Sequence, residues 1–148
     1  MKNLFLIISI ISISILSCIA GENPVLKIEG GKMQGIPTKT PSVYVFKGIP
    51  YAAPPVGAFR WKSPQPVIPW KGVKVADTYG PAPMQPPRQP GSFYYKEFFT
   101  DDGHKNSEDC LYLNIYTTAP GKTKAGLPVA INIYGGAFAS GYLSLIHI

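Results

Sequence analysis

Histidine and cysteine are scarce in this 148-residue chain, which holds only His104, His147, Cys18 and Cys110. With two histidines and no clustered acidic ligands, no metal site is expected. Charge is sparse too: 15% of residues are charged and the formal net charge is +6. Lys27, Lys32, Lys39, Lys47, Lys62, Lys71 and Lys74 stand singly, with no stripe or block of the kind that grips phosphates, so nucleic acid is not an expected partner. No segment repeats at a solenoid or propeller period. The glycine pair Gly135-Gly136 lacks a following Lys-Ser/Thr, which excludes a phosphate-binding loop, and no cofactor is expected.

What is present begins with an apolar N-terminus. Lys2 precedes Leu4-Phe5-Leu6-Ile7-Ile8 and then Ile10, Ile11, Ile13, Ile15 and Leu16. The run is about 13 residues, short of the roughly 20 needed to span hydrocarbon, so residues 1–20 read as a secretory signal. Two modes of cleavage remain open. Cys18-Ile19-Ala20 offers small residues to an ordinary signal peptidase, while Ile15-Leu16-Ser17-Cys18 resembles a bacterial lipobox in which Cys18 would carry the lipid. The mature protein is expected to be secreted, periplasmic or an outer-surface lipoprotein, touching membrane only through the signal or a lipid anchor.

The whole chain is 45% hydrophobic, as a globular domain requires, and residues 21–148 are expected to make up that domain. After a linker from Gly21 to Pro24, Val25 to Glu29 alternates as a strand, Gly30-Gly31 marks a turn, and Lys32 to Ile36 returns as the second arm of a hairpin. Ser42 to Gly48 predicts a third strand. From Pro50 to Pro90 proline and glycine nearly exclude helix. Tyr51, Phe59, Trp61, Trp70 and Tyr79 lie in this stretch, and packing of those rings would make it a folded loop. Gly91 to Lys105 predicts a short helix or a surface loop. Cys110 to Tyr116 and Leu127 to Tyr134 predict strands separated by a turn-like stretch, Ala119 to Gly126, and the second is apolar enough for burial on both faces. No amphipathic helix follows to cover such a sheet.

Three segments together resemble the type-B carboxylesterase and cholinesterase family. They are Phe46 to Trp61 (FKGIPYAAPPVGAFRW), Ser107 to Asn114 (SEDCLYLN), and Pro128 to Gly141 with its Tyr134-Gly135-Gly136-Ala137-Phe138 core. The resemblance implies the N-terminal portion of an α/β-hydrolase fold: a small N-terminal β-sheet plus the first strands of the central mixed sheet. It also implies a serine esterase acting on a small-molecule carboxylic ester through an acyl-enzyme, with aryl, alkyl and carbohydrate esters all open.

By the same resemblance, Gly136 and Ala137 donate two backbone N–H groups to the oxyanion hole and Gly135 shapes the turn. Many members have histidine at Tyr134 and a third glycine at Ala137, but alanine keeps its N–H. Arg60 and Glu108 are expected to form an internal ion pair of structural role. Removing Arg60 would then strand a buried carboxylate at a cost of several kcal/mol and unfold the protein. Pro83 stands where the family places a cysteine, in Gly80-Pro81-Ala82-Pro83-Met84-Gln85, so Cys110 reads as a buried free thiol and not a nucleophile. His104 and His147 fall outside the family's catalytic positions.

The Gly-x-Ser-x-Gly elbow does not occur in the 148 residues, so the fragment as written is expected to be inactive, with nucleophile, acid and base elsewhere in a longer parent. Residues 143–148 fit the family poorly and read as a tail of non-native origin. The competing reading is a cholinesterase-like binding or adhesion domain that keeps the fold without the triad. If the Ala137 amide is a hole donor, Ala137→Pro in the full-length protein lowers kcat at least about tenfold, since one donor is worth about 3 kcal/mol. An unchanged kcat would refute the assignment.

Overall fold

The computed structural model describes residues 23–86, 90–93, 105–136 and 140–141. It contains strands β1 (Val25–Ile28), β2 (Gly31–Gln34), β3 (Ile36–Pro37), β4 (Tyr44–Pro50), β5 (Val73–Val75) and β6 (Tyr112–Thr117), and one 3-10 turn at Gly57–Phe59. The strands form two three-stranded sheets, ordered β1-β2-β5 and β3-β4-β6.

The expected hairpin is β1 and β2, antiparallel from Val25 opposite Gln34 to Ile28 opposite Gly31. Its turn is held from behind by Trp70, whose amide donates to the Gly30 carbonyl at 2.9 Å and whose indole Nε1 donates to the Lys32 carbonyl at 3.0 Å. The Lys74 ammonium lies 4.4 Å from the centre of the Trp70 ring, a cation–π contact. The second arm does not run on to Ile36 in one sheet. It breaks at Gly35, whose amide donates back to the Pro24 carbonyl at 2.8 Å, and Ile36–Pro37 then pairs with β4 in the other sheet. A side chain at Gly35 would strike the Phe46 ring, its Cβ 2.6 Å from Cζ, so the chain changes sheets where only glycine admits that ring.

Within the proline-rich stretch, Val73–Val75 finds a parallel partner in β2, Lys32 opposite Val73 and Gln34 opposite Val75. Ala76, 1% exposed, then joins the sheets: its amide donates to the Gln34 carbonyl at 2.8 Å and its carbonyl accepts from the Lys47 amide at 2.9 Å. The core lies at this junction. Met33, Phe46 and Ala76 are buried, and Leu26, Ile28, Tyr44, Ile49 and Trp70 pack around them.

β4 pairs with β6 antiparallel, with a register shift between Phe46 and Ile49. Gly48 sits in that irregularity at φ +62, a region costly to residues with a Cβ, and a Cβ there would lie 2.6 Å from the Thr78 carbonyl oxygen. The ladder bond lost at the shift is replaced by a side chain, since the Gly48 amide donates to Asn114 Oδ1 at 2.9 Å.

Three further expectations need correction. Residues 127–134 form no strand: Val129, Ile131 and Ile133 are 85%, 83% and 85% exposed, and among the described residues no backbone hydrogen bond joins the segment to another. An apolar run becomes a strand only where a neighbour satisfies its backbone, and none of the described segments runs beside it. Packing of the proline-rich rings is also uneven, for Trp70 packs whereas Trp61 is fully exposed and Tyr51 and Phe59 are 51% and 42% exposed. The stretch is held mainly by backbone, such as the Ala53 amide donating to the Gln65 carbonyl at 2.9 Å.

The third correction concerns the ion pair. Arg60 and Glu108 do meet in a two-pronged contact, Nε to Oε1 at 2.6 Å and Nη2 to Oε2 at 2.5 Å, but their side chains are 53% and 40% exposed. The pair lies at the surface, so losing Arg60 strands no buried charge and is not expected to unfold the chain. The hydrogen bonds from Arg60 hold the Glu108 carboxyl below its ordinary range. A carboxyl depressed in the folded state adds stability above its unfolded pKa, and that stability is lost as pH falls through the folded value. Glu108→Gln is therefore expected to lower the melting temperature slightly at pH 7, with the gap to wild type narrowing as pH falls below about 4, the unfolded value. A gap that stays constant down to pH 2 in thermal melts would show that the ion pair is not its cause.

Candidate functional site

β6 and the segment before it carry the scaffold of the glycine loop. Asn106 forms a parallel bridge with Ala82, which is fully buried: the Ala82 amide donates to the Lys105 carbonyl at 2.9 Å, and the Ser107 amide donates to the Ala82 carbonyl at 2.8 Å. Asn106 Nδ2 also donates to the Gln85 carbonyl at 3.2 Å. Residues 80–85 are thus fixed to the chain that runs into β6.

The loop itself doubles back on its own backbone. The Ser140 amide donates to the Gly136 carbonyl at 3.2 Å. Gly136 has φ +143, and a Cβ on it would fall 1.4 Å from the Ser140 carbonyl oxygen, so no other residue fits. At the far end Gly141 is buried between the Gly135 carbonyl and the Tyr134 ring, where a Cβ would lie 2.5 and 2.7 Å from them. Gly135 and Gly136 are exposed, and the space around the Cβ position of Gly135 is open. Ala137 and Phe138 lie outside the described residues, as do Cys18, His104, His147 and residues 143–148.

Beside the loop, the Gln85 side chain reaches Gly141 from both sides: Oε1 accepts from the Gly141 amide at 2.9 Å and Nε2 donates to the Gly141 carbonyl at 3.2 Å. Sequence reading missed Gln85, treating residues 80–85 only as the place of a missing cysteine. No periodicity marks the residue, because its partner is 56 positions away.

Titratable groups near the loop are poor nucleophiles and bases. Cys110 is free and half-buried rather than buried; burial, and then the Asp109 charge, push its thiol above the ordinary range, which keeps it protonated at neutral pH. Burial is also the main reason that Tyr51 is raised and that Tyr112 is pushed up to about 12, the latter helped by its hydrogen bond to Asp109 Oδ2 at 3.0 Å. Asp109 is engaged by that bond, and its amide donates to Ser107 Oγ at 3.1 Å. Glu108 is engaged by Arg60. Neither carboxylate is placed as a catalytic acid. Among the described residues no three His, Cys, Asp or Glu side chains converge as metal ligands. A cleft of about 230 Å³ opens between the sheets, lined by apolar residues including Leu26, Met33, Phe46 and Ile115, and it contains none of the glycine-loop residues.

Comparison with known proteins bears on this loop. A family model described as the carboxylesterase family matches residues 22–147. The chain is 40% identical over 131 residues to the medium-chain fatty acyl-CoA hydrolase precursor of Anas platyrhynchos, covering 83% of this chain and 23% of that protein. It is 36% identical over 145 residues to liver carboxylesterase B-1 of Rattus norvegicus, covering 90% and 26%. A solved PNB esterase superposes with a TM-score of 0.67 at 39% identity over 83% of this chain, and a thermophilic PNB esterase with 0.64 at 41% identity over the same share; the chain covers 23% of each. The 148 residues span about a quarter of the length of these relatives. The two sheets are accordingly the N-terminal portion of an α/β-hydrolase fold, and the chain belongs to the carboxylesterase family.

Proposed function

We propose that this chain is the opening part of a serine carboxylic ester hydrolase and contributes two backbone donors to its oxyanion hole. The observation that carries this reading is the turn at Gly135-Gly136, held back on itself by the Ser140 amide, in a chain of the carboxylesterase family. Relatives named as carboxylesterases, an acyl-CoA hydrolase and a PNB esterase point to acyl transfer from carboxylic esters.

Attack on an ester carbonyl puts negative charge on its oxygen, and preformed N–H donors stabilise that charge most where water is excluded. The Gly136 amide has no protein acceptor among the described residues, and the absence of side chains at Gly135 and Gly136 lets a substrate oxygen approach the backbone. Gly136 and Ala137 are the donors in this reading, with Gly135 shaping the turn. The serine belongs to a Gly-x-Ser-x-Gly elbow that residues 1–148 do not contain, so residues 1–148 alone are expected to show no turnover.

The test is hydrolysis of p-nitrophenyl and naphthyl esters by the full-length gene product, with a fluorophosphonate probe labelling one serine. Gly136→Ala, which drives a methyl into the Ser140 carbonyl, is expected to lower kcat at least tenfold by displacing a donor worth about 3 kcal/mol. A full-length protein with neither turnover nor labelling would sink the reading.

Residues 1–20 are proposed as an export signal, supported by the apolar run after Lys2. Incorporation of labelled palmitate into wild type but not into Cys18→Ala would mark the lipoprotein form, whereas an unlabelled protein recovered outside the cytoplasm with a new N-terminus after Ala20 would mark ordinary cleavage.

A further inference from the structure

We propose that Gln85 is the positioning residue of the oxyanion loop: its carboxamide clamps the backbone of Gly141 on both sides and thereby sets where the Gly136 amide points. The proposal rests on the functional reading above for its catalytic consequence, but the clamp itself is independent of it.

The carboxamide does what a neighbouring strand would do. Oε1 accepts from the Gly141 amide at 2.9 Å, while Nε2 donates to the Gly141 carbonyl at 3.2 Å, so one side chain satisfies both polar groups of a buried backbone residue. Nε2 also donates to the Pro83 carbonyl at 3.1 Å. These three contacts fix the amide's orientation, since a flipped amide would set its oxygen against two carbonyls and its nitrogen against an N–H.

The clamp has a firm base. The Gln85 carbonyl accepts from Asn106 Nδ2, and three residues earlier Ala82 is bonded on both sides to Lys105 and Ser107. The load it carries is specific as well. Gly141 lies so near the Gly135 carbonyl and the Tyr134 ring that a Cβ would strike both, and the Ser140 amide closes on the Gly136 carbonyl, so a shift of residue 141 moves both ends of the turn.

Only glutamine meets all three contacts. Glutamate lacks the donor and would place charge against two carbonyls. Methionine keeps the length but has neither donor nor useful acceptor. Asparagine is one methylene too short to span Gly141 from the same backbone position.

Full-length wild type, Gln85→Met and Gln85→Glu are compared in four readouts: kcat and KM for a p-nitrophenyl ester per fluorophosphonate-titrated site, inhibition by a trifluoromethyl ketone, melting temperature, and hydrogen exchange of the peptide covering residues 134–141. A misplacement of about 1 Å costs on the order of a hundredfold in rate, so kcat per site is expected to fall tenfold to a hundredfold with KM within about twofold. Affinity for the trifluoromethyl ketone, whose adduct places an oxyanion in the hole, falls by the same factor as kcat. Exchange in residues 134–141 rises at least about tenfold.

Unchanged kcat per site in Gln85→Met overturns the positioning role, as does a fall in melting temperature without a change in kcat or ketone affinity. If wild type shows no turnover, the functional reading fails, and the exchange measurement alone decides the clamp: equal exchange in wild type and Gln85→Met rejects it.

Discussion

The two sheets depend on a single short stretch of backbone for their relative placement. Ala76 gives its amide to the end of β2 and its carbonyl to the middle of β4, and it is buried because both sheets close over it. Those two bonds stitch β1-β2-β5 to β3-β4-β6 at the point where Met33 and Phe46 meet, and the small side chain of Ala76 lets the backbones come close. A core this small buries little apolar surface, so directional backbone bonds have a large share in specifying the arrangement.

From that junction, order is handed outward through one strand. β4 fixes β6, in part through Asn114 filling the gap at Gly48; the segment leading into β6 fixes Ala82 through Asn106; and Gln85, on the same short stretch, holds the glycine loop. Each step uses backbone or carboxamide groups, and Gln85 alone makes three such bonds with its side chain. The loop has no strand of its own among the described residues, so this chain of contacts is what positions it. Arg60 and Glu108 add a second tie between the end of the 3-10 turn and the approach to β6, at the surface, where its contribution depends on pH and salt.

Local features were legible in the sequence where the controlling physics is local. The hairpin from Val25 to Gln34 followed from alternation and a glycine pair, and the strands around Tyr44 and Tyr112 from β-branched and aromatic content. The family emerged from three separated segments. Long-range features were opaque. The break at Gly35 depends on the Phe46 ring, the pairing of Val73–Val75 on a partner some 40 positions earlier, and the engagement of Gln85 on a glycine 56 positions later. The apolar run 127–134 misled for the same reason, since composition shows that a segment suits a buried strand but not whether a neighbour lies alongside. Exposure of the Arg60 and Glu108 pair could not be read from residue types, which are the same for a buried pair and a surface pair.

The bare segment 127–134 also bears on how such a chain is handled in a cell. Strands β1 to β6 settle into their two sheets, but Val129, Ile131 and Ile133 present β-prone apolar side chains to solvent. During synthesis such a segment is open to wrong partners, including other copies of itself. Pro128 at its start cannot donate a ladder bond, and so acts as a gatekeeper against stacking from that end. Chaperone demand in this protein would therefore concentrate on these eight residues rather than on the folded sheets that precede them.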